Sequence, residues 1–151
     1  MADIREMLFT DAEINQQALA NASALPYLMV AFARACGTSA EEVAEFSGRI
    51  FAPGWARLAG AGAYDVLRIV ALNLVCCGGE VERLNGDEDS AEARITGVPV
   101  QDEADFFGIT IDQTDQYSAV FTPIVASLGF NFSWRRDGAA LVYSLQRSET
   151  D

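Results

Sequence analysis

The chain has 151 residues, half of them apolar, with 22 acidic against 10 basic side chains and a net charge of −12. That length suits one domain spanning residues 1–151 with a core of its own, and the apolar half favours folding despite the acidity. The charge makes nucleic acid and anionic membrane surfaces poor partners, because both require a basic face on the protein.

Every basic residue is arginine; there is no lysine and no histidine. Schiff-base chemistry, histidine general bases, histidine metal ligands and Ser-His or Cys-His dyads are therefore ruled out. An enzyme built on this chain would depend on carboxylates, tyrosine, arginine or an unaided thiolate, and no catalytic residue, metal ligand or cofactor can be assigned. The three cysteines are odd in number, and the N-terminus lacks the basic start and apolar run of a signal peptide, so a cytoplasmic protein with reduced thiols is expected. No apolar stretch reaches the ~18 residues of a membrane span. The longest, Val66 to Cys77, is interrupted by Arg68 and Asn73 and reads as a central buried helix.

Taken in chain order, Thr10 with Glu13 forms a capping-box pattern that predicts a helix from about Asp11. Ile14, Ala18, Leu19 and Ala22 share one of its faces. Pro26 should restart the helix, since proline is costly in an interior turn, and Gly37 should end the second segment. Thr38 with Glu41, or Ser39 with Glu42, caps the next helix, whose expected core stripe is Val43, Phe46 and Ile50 with Phe51 beside it. Pro53-Gly54 breaks that run, with Trp55 and Leu58 just beyond, and the helical half spans residues 11–58.

A helix followed by a two-stranded hairpin then occurs twice, over residues 65–97 and 115–147. In the first copy Ala91, Ala93 and Ile95 alternate with Glu92, Arg94 and Thr96, the pattern of a half-buried strand. Between the copies, Gln101 to Phe107 reads as a short helix, and Ile109 and Ile111 as extended. In the second copy Pro123 should kink or shorten the helix. Phe130, Phe132 and Trp134 line one strand, Asp137-Gly138 signals a tight turn, and Leu141, Tyr143 and Leu145 line the return. A duplicated unit of this kind predicts an α+β fold: a helical N-terminal half, then two hairpins merged into one four-stranded antiparallel sheet with helices packed on one face.

That order of helices, hairpin, helix, hairpin resembles, at the level of topology, the domain shared by 4-vinyl-reductase-type ligand-binding proteins and the TRAPP trafficking subunits, over nearly the whole chain. The resemblance implies a small-molecule binding domain with helices on one side of the sheet. The prokaryotic members often carry cysteines near their C-terminal strands, whereas the last cysteine here is Cys77, so no thiol or metal role carries over. Bacterial effector-binding domains built from duplicated strand–helix–hairpin units form a second likeness, from which this chain departs by lacking a strand before its first helix.

Among the chemistry-bearing residues, Cys76 and Cys77 diverge by about 100° on a helix and cannot easily share a metal ion. They read as buried small residues, with a reactive thiol at a helix C-terminus as the alternative. Asp87-Glu88-Asp89 reads as a solvated turn rather than a calcium loop, whose ordered spacing it lacks. Arg68 and Asn73 either form local contacts, with Asp65 as the partner for Arg68, or orient the polar end of a ligand; about 140° of helix rotation separates them. Phe132, Trp134 and Tyr143 face the small Ala91 and Ala93 if the hairpins share a sheet, which makes ordinary core or one wall of a cavity.

The leading expectation is a non-enzymatic domain that binds a small apolar or mixed-polarity ligand, with Arg68, Asn73, Phe132, Trp134 and Tyr143 as candidate ligand-binding residues. The alternatives are a homodimer or partner-binding protein that associates through an apolar helical face and, lower, a carboxylate- or thiol-dependent enzyme. Any site belongs where the two copies meet.

Overall fold

Thr10 and Ser39 each open a helix with a reciprocal capping box, as seen in the computed structural model, which describes residues 9–149. The first helix, α1, runs unbroken over Asp11–Ala35. This corrects the expected restart at Pro26: the ring sits inside a continuous helix, and the bond lost to the carbonyl four residues earlier is compensated from another element, as described below. Gly37 then takes a positive φ of 72° and turns the chain away.

Helix α2 covers Ala40–Phe51, and its orientation overturns the expected core stripe. The buried face is Ala40, Ala44, Ser47 and Gly48, while Phe46 and Ile50 are 60% and 64% exposed. Steric demand explains the reversal. A Cβ built on Gly48 would lie 2.1 Å from the Val120 carbonyl oxygen, so α2 meets its neighbour through small residues and turns the large ones outward. A 3-10 helix over Ala52–Leu58 follows, starting where Pro53 was expected to break the run.

Helix α3, Ala63–Cys76, buries Ala63, Val66, Leu67, Val70 and Ala71. It is not apolar-buried all round, because Leu72 and Val75 are exposed. No side chain caps its start; the amides of Ala63 and Tyr64 donate instead to the Glu88 and Asp87 carbonyls, both at 2.9 Å. Those carbonyls belong to the turn between β1 (Glu80–Gly86) and β2 (Ser90–Thr96). The Asp87 carboxylate accepts the Asp89 and Ser90 amides, each at 2.9 Å, and these bonds hold it below the usual carboxylate range. The acidic cluster is thus a self-bonded turn docked on a helix end.

Helices α4 (Gln101–Phe106) and α5 (Ile111–Gln116) come next, then a 3-10 turn over Tyr117–Val120 and α6, Phe121–Ala126. The second helical copy is therefore broken into three pieces, as Pro123 suggested. It begins earlier than expected, because Thr110 and Gln113 form a capping box; Ile111 is helical rather than extended, and Ile109 is buried between helices. Strands β3 (Phe130–Asp137) and β4 (Ala140–Arg147) close the chain around Gly138, at a φ of 63°.

The sheet order is β1-β2-β4-β3, antiparallel throughout. The second strands of the two hairpins form the central pair, so the fold is α+β as expected, with helices packed on the sheet. Ala91, Ala93 and Ile95 stand opposite Leu145, Tyr143 and Leu141, so of the aromatic residues expected to face the alanines only Tyr143 does. Phe132 and Trp134 pair with Leu145 and Tyr143 instead, because β4 lies between β2 and β3. The other face carries ion pairs, Arg83 with Glu92 at 2.5 Å, Arg94 with Glu82 at 2.7 Å and Arg94 with Asp137, as befits the open side of an antiparallel sheet. Among the described residues no helix is long and apolar enough to cross a membrane.

Candidate functional site

Two hollows meet in the helical layer. The outer is a cleft of about 500 Å³ bounded by Ala22, Leu25 and Pro26 of α1, by Phe51 and Trp55, by Asn73 to Cys77 at the end of α3, and by Tyr117 to Ile124. The inner is a chamber of about 60 Å³ reaching Thr114, Ser118 and Tyr143. Pro26, Leu74 and Cys77 border both and so mark the junction, or throat, where the two adjoin. A third hollow, of about 340 Å³, lies against Tyr27 and Cys77 on the side of Val98 and Val100. The cleft draws its walls from the first helix–hairpin copy, from the second and from α1.

Aromatic packing joins the wall of the cleft to the sheet. Trp55 meets Phe121 edge-on with centroids 6.3 Å apart, Phe121 meets Phe132 at 5.9 Å, and Phe132 stacks on Tyr143 at 5.9 Å. Trp55 and Phe121 wall the cleft and Phe132 backs them from the core, and contacts of this kind add to the burial of each ring. Arg136 of β3 holds Asp115, the neighbour of the chamber-lining Thr114. Its Nε and Nη2 donate to Asp115 at 2.6 and 2.5 Å, which ties the second hairpin to α5, and Asp115 raises the Arg136 guanidinium further above its ordinary value. Tyr27 is anchored by the Val100 amide, which donates to its phenolic oxygen at 2.8 Å.

Burial governs the titratable groups along the hollows. Burial pushes the Tyr143 phenol up to about 12, against a downward pull from its bond to Ser118. Burial likewise raises Tyr117 and Tyr27. The Cys77 thiol is raised by burial first and by the neighbouring Cys76 second. A raised thiol is a poor nucleophile at neutral pH. Among the described residues no three His, Cys, Asp or Glu side chains come together as a metal site.

Of the residues singled out in the sequence, Asn73 lines the cleft, with its Nδ2 donating to the Ile69 carbonyl at 2.8 Å. Tyr143 lines the inner chamber. Phe132 and Trp134 pack against the core, 5.8 Å apart, and border neither hollow. Arg68 is exposed and away from both; the Asp65 partner expected for it is not among the ion pairs of the described residues. Cys76 and Cys77 depart from the expectation of burial, for Cys76 is exposed and Cys77 is half-buried. The reason is that α3 ends at the rim of the cleft rather than inside the core.

Sequence reasoning passed over Ser118, Tyr117, Trp55 and Leu74. Only Trp55 carried any signal, as a large aromatic beside a helix break. Comparison with family models, with curated proteins and with solved structures finds no match for the chain.

Proposed function

We propose that this protein is a non-enzymatic domain that binds a small molecule of apolar or mixed polarity in the cleft between α1, α3 and α6. One observation carries this reading: an open cleft of about 500 Å³ with mostly apolar walls and a few polar groups, Asn73, Tyr117 and the two thiols. Binding sites for small molecules are of this size and this mixture. The reading agrees with the ligand-binding families that the topology resembles. It also agrees with a chain that has no histidine or lysine and with a cleft whose thiol at the throat is raised by burial. Native mass spectrometry of the purified protein, with a thermal-shift screen across lipids, tetrapyrroles and aromatics, tests it. A co-purifying mass or a compound-dependent rise in Tm is expected. A flat response across the whole screen sinks the proposal.

A second reading is favoured by the outward face of the helices. Phe46 and Ile50 of α2 and Leu28 and Phe32 of α1 are all more than half exposed, and large apolar side chains gathered on a surface mark interaction sites. Self-association through that face would leave the cleft as a by-product of packing. Light scattering at micromolar concentration decides, since a monomeric mass removes the homodimer.

A further inference from the structure

The Ser118 and Tyr143 hydroxyls lie 3.3 Å apart at the inner end of the chamber, and each residue is buried, at 8% and 1% exposure. Each hydroxyl brings one proton and can accept in return. The single bond between them uses one proton, and among the described hydrogen bonds neither hydroxyl has any other partner. One buried O–H is therefore left over, in a chamber that shares Pro26, Leu74 and Cys77 with the cleft. A buried donor without an acceptor is unfavourable, so the position is suited to an acceptor atom.

We infer that the ligand of the cleft presents one neutral, hydrogen-bond-accepting oxygen of the carbonyl kind at the end of an apolar body, and seats that oxygen against the Ser118–Tyr143 pair. The inference rests on the cleft being a binding site. Neutrality follows from the charges on hand: Arg136, the cation on that side, is already held by both oxygens of Asp115, so a carboxylate there would lack a counter-charge. The Thr114 hydroxyl is committed to the Thr110 carbonyl, and Pro26, Leu74 and Val98 are apolar walls. A carbonyl oxygen can accept the proton that this pair leaves free. About 60 Å³ admits a small head group, which leaves the apolar body in the cleft.

Equilibrium binding of acetylnaphthalene and of naphthalene to the full chain tests this, with the carbonyl stretch of the bound ketone read by infrared difference spectroscopy. Wild type should bind the ketone roughly fivefold more tightly than the hydrocarbon, the worth of one hydrogen bond, and lower its carbonyl frequency. In the double variant Ser118→Ala/Tyr143→Phe both protons are gone. Removing both partners of a bond while keeping their shape changes stability little, so the variant should fold, bind naphthalene as before and lose the preference and the frequency shift. Equal binding of the two compounds by wild type, or a preference that survives in the double variant, overturns the carbonyl inference and leaves the cleft reading intact. Failure of both compounds to bind overturns this inference, while the cleft reading is decided by the wider screen.

Discussion

The Cys77 thiol donates to the Ala22 carbonyl across 3.6 Å. Ala22 stands four residues before Pro26, so its carbonyl is the one that proline leaves without an intrahelical amide. A residue of α1 that weakens its own helix is thereby linked to the last turn of α3, and the link sits at the throat of the candidate site. Pro26 is tolerated within a helix of 25 residues because its orphaned acceptor faces a donor from another element.

Alkylation should follow this geometry. Cys36 and Cys76 are exposed, while Cys77 is half-buried, bonded and raised in pKa by burial. A raised pKa means less thiolate at neutral pH and slower attack. Peptide mass spectrometry after timed iodoacetamide treatment at pH 7 should show Cys36 and Cys76 modified first and Cys77 last. Raising the pH toward 9 should narrow the gap. Cys77 reacting as fast as Cys76 at pH 7 would remove the thiol–carbonyl link.

Alkaline stability should depend on Tyr143. Its phenol, pushed up to about 12 by burial from an ordinary 10.0, is bound more tightly to its proton when folded than when unfolded. The resulting stability is fully present below pH 10 and drains away between about pH 10 and 12 as the unfolded chain ionises first. A shift of this size corresponds to roughly 2 to 3 kcal/mol. Urea midpoints measured from pH 8 to 11.5 should fall in wild type and fall less steeply in Tyr143→Phe. Parallel curves would show that the phenol titrates as if exposed.

The Arg136–Asp115 pair should be costly to break from one side. Asp115 keeps only 11% of its side chain exposed, against 27% for Arg136. Arg136→Met leaves that carboxylate without its partner and should cost about 2 to 3 kcal/mol, below the full range for buried pairs because the arginine is partly solvated. Asp115→Asn/Arg136→Met should recover a good part of the loss. Chemical denaturation of the three proteins gives the comparison, and a double variant no better than the single one would deny the coupling.

The features that sequence reasoning reached were those governed by local chemistry. Thr10 with Glu13, Ser39 with Glu42, the alternation around Ala93 and the turn at Gly138 each depend on residues a few positions apart. What it missed depends on other elements. Phe46 and Ile50 look like a core stripe until Gly48 brings α2 against the Val120 carbonyl. Pro26 reads as a break until a thiol 51 positions later supplies its missing donor. For the site, Asn73 and Tyr143 were chosen because a polar group or a large ring stood out against its strand or helix. Ser118 gave no such sign, since a lone serine becomes notable only when a buried phenol faces it.

Gly48 should therefore be intolerant of a side chain. Its added Cβ would meet backbone, the Val120 oxygen at 2.1 Å and carbon at 3.0 Å, as well as the Pro123 ring at 2.5 Å. Backbone cannot swing aside as a flexible side chain does, so Gly48→Ala should cost more than about 2 kcal/mol despite alanine's better helix propensity. Gly54→Ala, with nothing within 4 Å of the new Cβ, serves as the control and should be close to neutral. Thermal melts of the two variants suffice, and equal Tm values would mean that α2 lies farther from Val120.

Replacing Phe46 and Ile50 separates stability from association. Both are more than half exposed, and exposed positions away from special features seldom move stability by more than about 0.5 kcal/mol each. Phe46→Ser/Ile50→Ser should accordingly melt close to wild type. If the outward face of α2 is a contact between copies, the same variant should shift the mass seen by light scattering from dimer to monomer at equal concentration, and its ligand response should be unchanged because neither residue borders the cleft. A large drop in Tm for monomeric protein would instead place these side chains in the core, as their spacing along the helix first suggested. Wild type that is monomeric at about 100 µM would leave the cleft as the sole basis for function, since two proteins at that concentration already sample contacts weaker than a biological interface requires.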